Sequence, residues 1–183
     1  MSFFKWVKSL FTPIKSFPLP IPDPLPPVPL PPSPIKKTKD PIKVDPNAEP
    51  NWLTIARLEI GQKEVRKGEN PRIIKYHMST KLKATKDETP WCSSFVCFCL
   101  ESAGYKSTRN AWARSFVAWG SKLKEPKLGC IVVFKRGEDS GHVGFFISES
   151  KLKIKVLGGN QKNSVCISEY NKSDLLTYRW PNT

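Results

Sequence analysis

Histidines, acidic residues and long apolar runs are all scarce in this chain, and each shortage narrows what it can be. His77 and His142 are the only histidines among 183 residues, so the search for a general base is short. No secretory signal or membrane span is visible, because the apolar stretch after Lys15 is broken by proline at nearly every second position. The cysteines (Cys92, Cys97, Cys99, Cys130 and Cys166) are odd in number and lack framework spacing. They read as reduced thiols and fit synthesis in a bacterial cytoplasm. The C-x4-C-x-C run at Cys92 lacks the C-x2-C pair of structural zinc sites, and Asp87 and Glu88 are too few for a calcium loop. No phosphate-cradling glycine motif or base-reading element is present. Neither a metal or cofactor nor a nucleic-acid partner is expected.

Proline and positive charge are abundant instead. Of 18 prolines, 14 fall between Pro13 and Pro50, which leaves residues 51–183 as one foldable domain of adequate size for a hydrophobic core. The chain carries 30 basic and 16 acidic residues; 23 and 12 of these lie in the domain, whose net charge is therefore +11. Such a surface seeks a polyanion: nucleic acid, anionic lipid, or a bacterial envelope rich in phosphate and carboxylate.

Residues 1–16 form a separate head in which Phe3, Phe4, Val7, Leu10, Phe11 and Ile14 recur at helical spacing, with Lys5, Lys8 and Ser9 opposite. A short helix of this kind suits a membrane interface or a partner's groove, such as that of a virion or secretion device. Residues 17–50 begin with FPLPIPDPLPPVPLPPSP, a stiff polyproline spacer on the order of 50 Å long, and continue as a charged, more flexible linker.

Within the domain, helices are expected over WLTIARLEI, over RIIKYH after Pro71, over WCSSFVCFCLESAGY and over AWARSFVAWGSKL. From Gly129 onward the pattern changes to short β-branched and aromatic runs, CIVVF, HVGFFIS, KIKVLGG, SVCIS and LTYRW. Helices followed by antiparallel strands indicate an α+β fold, with N-terminal helices packed on a C-terminal sheet.

Cys92 stands at the start of the third helix, where exposed amides and the helix dipole favour a thiolate nucleophile. His142 opens a strand in SGHVGFFIS between Gly141 and Gly144, a place for close approach of other segments, and is the better base. The runs HVGFFIS and KIKVLGG should form a hairpin turning near Ser150 and Lys151. That register sets Gly159 and Asn160 beside His142 and Gly141, so Asn160 is expected to orient the imidazole; a one-residue slip brings Gln161 instead.

The order TPWCSSFV, GHVGFF, LGGNQ resembles CHAP-type (cysteine, histidine-dependent amidohydrolase/peptidase) domains of phage and bacteria, which have a papain-like fold. The resemblance extends from about Trp52 to the terminal YRWP and does not cover the tail. It implies a catalytic set of Cys92, His142 and Asn160, and a substrate in the peptide part of peptidoglycan. Some relatives carry an acidic calcium loop before the cysteine; KLKATKDETPW does not reproduce it, so activity without metal is expected. Trp91 is expected to line the cleft, with a core position as the alternative. Glu88 is a candidate substrate contact, with a solvated loop carboxylate as the alternative. The function expected is a peptidoglycan amidase or endopeptidase, an endolysin or virion-associated lysin made in the cytoplasm and acting at the cell wall. A secreted antibacterial effector with the same chemistry and a non-catalytic envelope-binding module are the alternatives.

Overall fold

The structure, a computed structural model, describes residues 49–182. The expectations for the head and for all but the last two residues of the proline-rich segment lie outside the described residues. The elements are helices α1 (Asn51–Leu58), α2 (Pro71–His77) and α3 (Cys92–Ser102), then a 3-10 turn (Ala113–Ala118). Strands follow: β1 (Ser121–Leu123), β2 (Ile131–Arg136), β3 (Ser140–Glu149), β4 (Lys153–Gln161), β5 (Ser164–Asn171) and β6 (Leu175–Trp180). The six strands form one antiparallel sheet in the order β1-β6-β2-β3-β4-β5. The α+β reading holds.

Local chemistry explains the helices. The Pro50 carbonyl accepts the Leu53 N–H at 2.8 Å to open α1, and Glu49 pairs with Arg57 at 2.9 Å. In α2, Pro71 fills the first position, where its missing N–H costs nothing, and the Asn70 side chain accepts from the Arg72 N–H at 2.8 Å. Helix α3 is buried from Cys92 through Leu100, which is why its sequence is apolar on every side.

The fourth expected helix is corrected to the 3-10 turn followed by β1, which pairs with β6. Its buried residues, Ala113 and Phe116, are three apart, a spacing that one 3-10 turn satisfies. Gly120 then crosses so close to Trp180 that any side chain would overlap the backbone carbonyl of β6, and its φ of 59° suits glycine.

Both faces of the sheet are covered, so the central strands are continuous apolar runs rather than alternating ones. Ile131, Val133, Val143, Phe145, Leu157 and Val165 face the helices, against Trp52, Tyr76, Phe95 and Leu100. Val132, Phe134, Phe146, Ile154, Val156 and Tyr178 form a second core on the far face.

Gly159 sets the distance between α3 and β4. A Cβ there would lie 2.5 Å from Trp91 Cζ3 and 2.7 Å from Phe95 Cβ, inside a packed layer with no slack. Gly159→Ala is expected to lower the unfolding free energy by about 3 kcal/mol, as overpacking does. Urea denaturation of the full chain checks this, and an unchanged midpoint would refute it.

Candidate active site

The first turn of α3 is tied down from several directions. The Ser93 hydroxyl donates to the Asn110 carbonyl at 2.6 Å, Ser94 Oγ lies 3.0 Å from His77 Nδ1, and Trp91 Nε1 donates to Glu64 at 2.8 Å. These bonds fix Cys92, which is only 7% exposed. The backbone N–H groups of Val143, Ser93 and Cys92 itself act on the sulfur, as does the nearby charge of Arg136. All of these favour thiolate, yet burial outweighs them and raises the thiol pKa above its ordinary value. The helix start and its amides thus pull toward the thiolate expected from the sequence, while burial pulls against it.

His142 lies on β3 next to Val143, whose backbone N–H acts on the Cys92 sulfur. Its cross-strand partner is Phe134, so it belongs to the far face, whereas Cys92 packs with the helix-side core. The β3–β4 ladder opens beside His142: pairing runs from Glu149–Ile154 to Phe145–Leu157 and goes no further. Beyond it, Val143 N–H faces the Cys92 sulfur rather than a strand partner. Gly158 lies under the imidazole, since a Cβ there would be 3.3 Å from His142 Nε2. Gly144 is equally confined, its Cβ position lying 2.5 Å from Val156 Cγ1 and 2.9 Å from the Leu157 carbonyl oxygen. The glycines that flank the histidine and precede Asn160 are there because the backbones crowd.

The side chain bonded to the imidazole is Gln161, and the placement of Asn160 there is corrected. The hairpin is one residue out of the expected register, with Phe145 opposite Leu157, and shifts again between Phe146 and Ser148. Asn160 adopts a left-handed backbone, φ 54°, at an irregularity of the β4–β5 pair between Gly158 and Gln161. It is Gln161, 2% exposed, whose Oε1 lies 3.1 Å from His142 Nε2. The Gln161 amide nitrogen donates to the carbonyls of Val156, at 3.3 Å, and Cys166. Those two acceptors fix which end of the amide faces the ring. Oε1 can only accept, so Nε2 of the neutral imidazole carries its hydrogen and Nδ1 holds the lone pair. Nδ1 is buried without a hydrogen-bond partner.

An aromatic stack covers the imidazole. Tyr170 of β5 stacks on His142 with centroids 4.8 Å apart and planes at 17°, and it also stacks on Phe134. Arg136 Nη2 lies 3.3 Å from the Tyr170 hydroxyl. The sequence reading missed both residues. Arg136 was recoverable: extending the β2–β3 hairpin outward from the turn at Gly137–Asp139 puts Phe134 opposite His142 and Arg136 on the same face. Tyr170 was not, because its approach depends on how the sheet curls.

Trp91 takes its core alternative. It is fully buried against Tyr76, with ring centroids 5.8 Å apart, and beneath Gly159, so it does not line a cleft. Glu88 is exposed in the loop before α3. Its neighbour Asp87 is buried and accepts the N–H groups of Val65 and Asn70 at 3.1 and 2.9 Å, pinning that loop. All five cysteines are free. Among the described residues no group of three or more His, Cys, Asp or Glu side chains could hold a metal ion, and no helix is long and apolar enough to cross a membrane.

Burial, then Arg136, pushes the His142 pKa down to about 3, against a smaller upward pull from Gln161. Burial also lowers that of His77. An unfolded histidine titrates near 6.5, so between about pH 6.5 and 3 the unfolded chain binds protons that the folded chain excludes. Stability should therefore fall on acidification through that window, by on the order of a few kcal/mol for His142. Thermal unfolding of the full chain from pH 7 to 4 measures it, and His142→Gln should flatten the curve. A wild-type curve already flat there would refute the burial of neutral imidazoles.

Residues 84–171 match the family model of the CHAP domain. The matched stretch runs from the loop before Cys92 to the end of β5 and contains Cys92, His142, Asn160 and Gln161. Among curated proteins, none matches the chain.

Proposed function

We propose that this chain, which carries a CHAP-type domain, cleaves an amide bond in the peptide part of bacterial peptidoglycan through a Cys92 thioester. The family is one of amidase and peptidase hydrolases associated with peptidoglycan. What supports the reading is His142: Nε2 is held by Gln161, Nδ1 is buried and unpartnered, and the next residue, Val143, turns its backbone N–H to the Cys92 sulfur. His77 also has one buried ring nitrogen without a partner, but its other nitrogen is tied to Ser94 on α3.

Burial disfavours charge on both the thiol and the imidazole, and in this reading proton transfer accompanies attack. As the Cys92 sulfur bonds to the amide carbon, its proton passes to Nδ1 of His142, and Gln161 Oε1 stabilises the imidazolium through Nε2–H. In this reading the backbone N–H of Cys92 stabilises the oxyanion. Collapse breaks the C–N bond, and His142 returns the proton to the leaving amine. Water, deprotonated by His142, then hydrolyses the thioester and restores the thiol.

In the finer reading the protein is an endolysin or virion-associated lysin, made in the bacterial cytoplasm and acting at the wall, with residues 1–50 as tether to a membrane or particle. The net charge of +11 over residues 51–183 supports attraction to an anionic envelope. The test is digestion of purified peptidoglycan by the full chain, with released fragments identified by mass spectrometry. New ends at an N-acetylmuramoyl–L-alanine bond identify an amidase, and new ends within the stem or cross-bridge an endopeptidase. Only new sugar reducing ends, or no fragments, would sink the proposal.

A further inference from the structure

We propose that Arg136 is the specificity-determining residue of this site, docking a free carboxylate of the substrate peptide close to the scissile amide. This rests on the hydrolase reading above. Arg136 is the last residue of β2, two beyond Phe134 and therefore on the face that carries His142. Its guanidinium sits 5.8 Å from the Tyr170 ring centroid, and Tyr170 stacks directly on the imidazole.

The chemistry of the surroundings points to an anion from outside. Arg136 is exposed, and among the described residues it forms no salt bridge, whereas Arg57, Arg72 and Arg109 each pair with a glutamate. Its nearest polar partner, the Tyr170 phenol, leaves most of the five-donor fork free. A planar fork anchored at one nitrogen on the Tyr170 hydroxyl keeps its other donors for two-point contact with a carboxylate, which a lysine would hold only as a point charge.

An unpaired arginine here also works against catalysis in the empty enzyme, because its charge disfavours protonation of His142. A substrate carboxylate on Arg136 neutralises that charge as the substrate arrives, so the base strengthens when it is needed. Peptidoglycan stems carry carboxyl groups beside their amide bonds, free in some walls and converted to primary amides in others. A carboxylate-docking arginine would distinguish the two.

The experiment compares muropeptides with free stem carboxyls against the same muropeptides with those groups amidated. Full-chain wild type should favour the free acid by about 10- to 100-fold in kcat/KM, the loss expected when one charge-assisted contact is missing. Arg136→Gln should collapse that preference, and Arg136→Lys should restore part of it. If Arg136→Gln slows both substrates equally, the residue only positions His142 and the proposal fails; an unchanged preference also overturns it. Binding is measured in parallel by calorimetry in the Cys92→Ala background, with and without Arg136→Gln. Weaker binding of the acid in the double variant upholds carboxylate docking even if wild type cleaves neither substrate, the result that would reject the hydrolase reading instead. Equal binding rejects the docking.

Discussion

Replacing Cys92 with alanine will abolish release of peptide fragments from peptidoglycan while leaving the fold intact. The covalent route has no substitute. Cys97 has its sulfur 3.8 Å from Thr108 Oγ1 within the core, and Cys99 and Cys130 are fully buried, with pKa values that burial raises. Cys166 lies on β5 with its sulfur 3.4 Å from the Gln161 carbonyl oxygen. None of these stands at the opening between β3 and β4. Loss of a nucleophile that works as a unit with its base costs on the order of 10⁴-fold or more in kcat. Stability should change by only about 1 kcal/mol, because alanine loses a single sulfur from a site that is not fully closed. Circular dichroism melts and fragment analysis on the same preparation separate the two effects. Cys92→Ser sharpens the test, since a hydroxyl occupies nearly the same space but is far less nucleophilic at neutral pH. Fragment release by Cys92→Ala at more than about a hundredth of the wild-type rate would remove Cys92 from the reaction.

How far the site could be read in advance depends on which interactions set each part. The position of Cys92 at a helix start and of His142 at a strand start followed from local signals: apolar run lengths, Pro71, Gly104 and the β-branched clusters after Gly129. The split into helices and sheet was legible for the same reason. Three things were not. The protonation of Cys92 depends on how deeply α3 is buried, which periodicity does not report. Trp91 is apolar and adjacent to the nucleophile, but whether it faces cleft or core is decided by Gly159 approaching from β4. The third residue depends on hairpin register, and one shift between Phe146 and Ser148, with a left-handed residue at Asn160, exchanges neighbours that differ by a single position.

That exchange gives the second large prediction. Gln161→Leu is expected to lower kcat/KM by at least about 100-fold, whereas Asn160→Gly should stay within a few-fold of wild type. The leucine side chain has similar volume but cannot accept from His142 Nε2, so the imidazole loses the bond that keeps Nδ1 as the proton acceptor and steadies the imidazolium. It also strips the Val156 and Cys166 carbonyls of a buried donor. Each orphaned group costs about 1–3 kcal/mol, so the variant should melt earlier as well. A merely structural glutamine would show the stability loss with activity declining only in step with the folded fraction. Gln161→Glu separates the cases: a carboxylate still accepts from Nε2 and raises the His142 pKa, while it repels the two carbonyls. If Gln161 acts through the imidazole, this variant regains activity relative to Gln161→Leu, and the acid limb of its kcat/KM profile moves to higher pH. At Asn160 a φ of 54° is one that glycine adopts freely, and the side chain is only partly buried. Asn160→Gly should therefore fold normally and cut at close to the wild-type rate. Should Asn160→Gly lose activity and Gln161→Leu retain it, the orienting role belongs to Asn160, and the amide–imidazole contact at 3.1 Å is only packing.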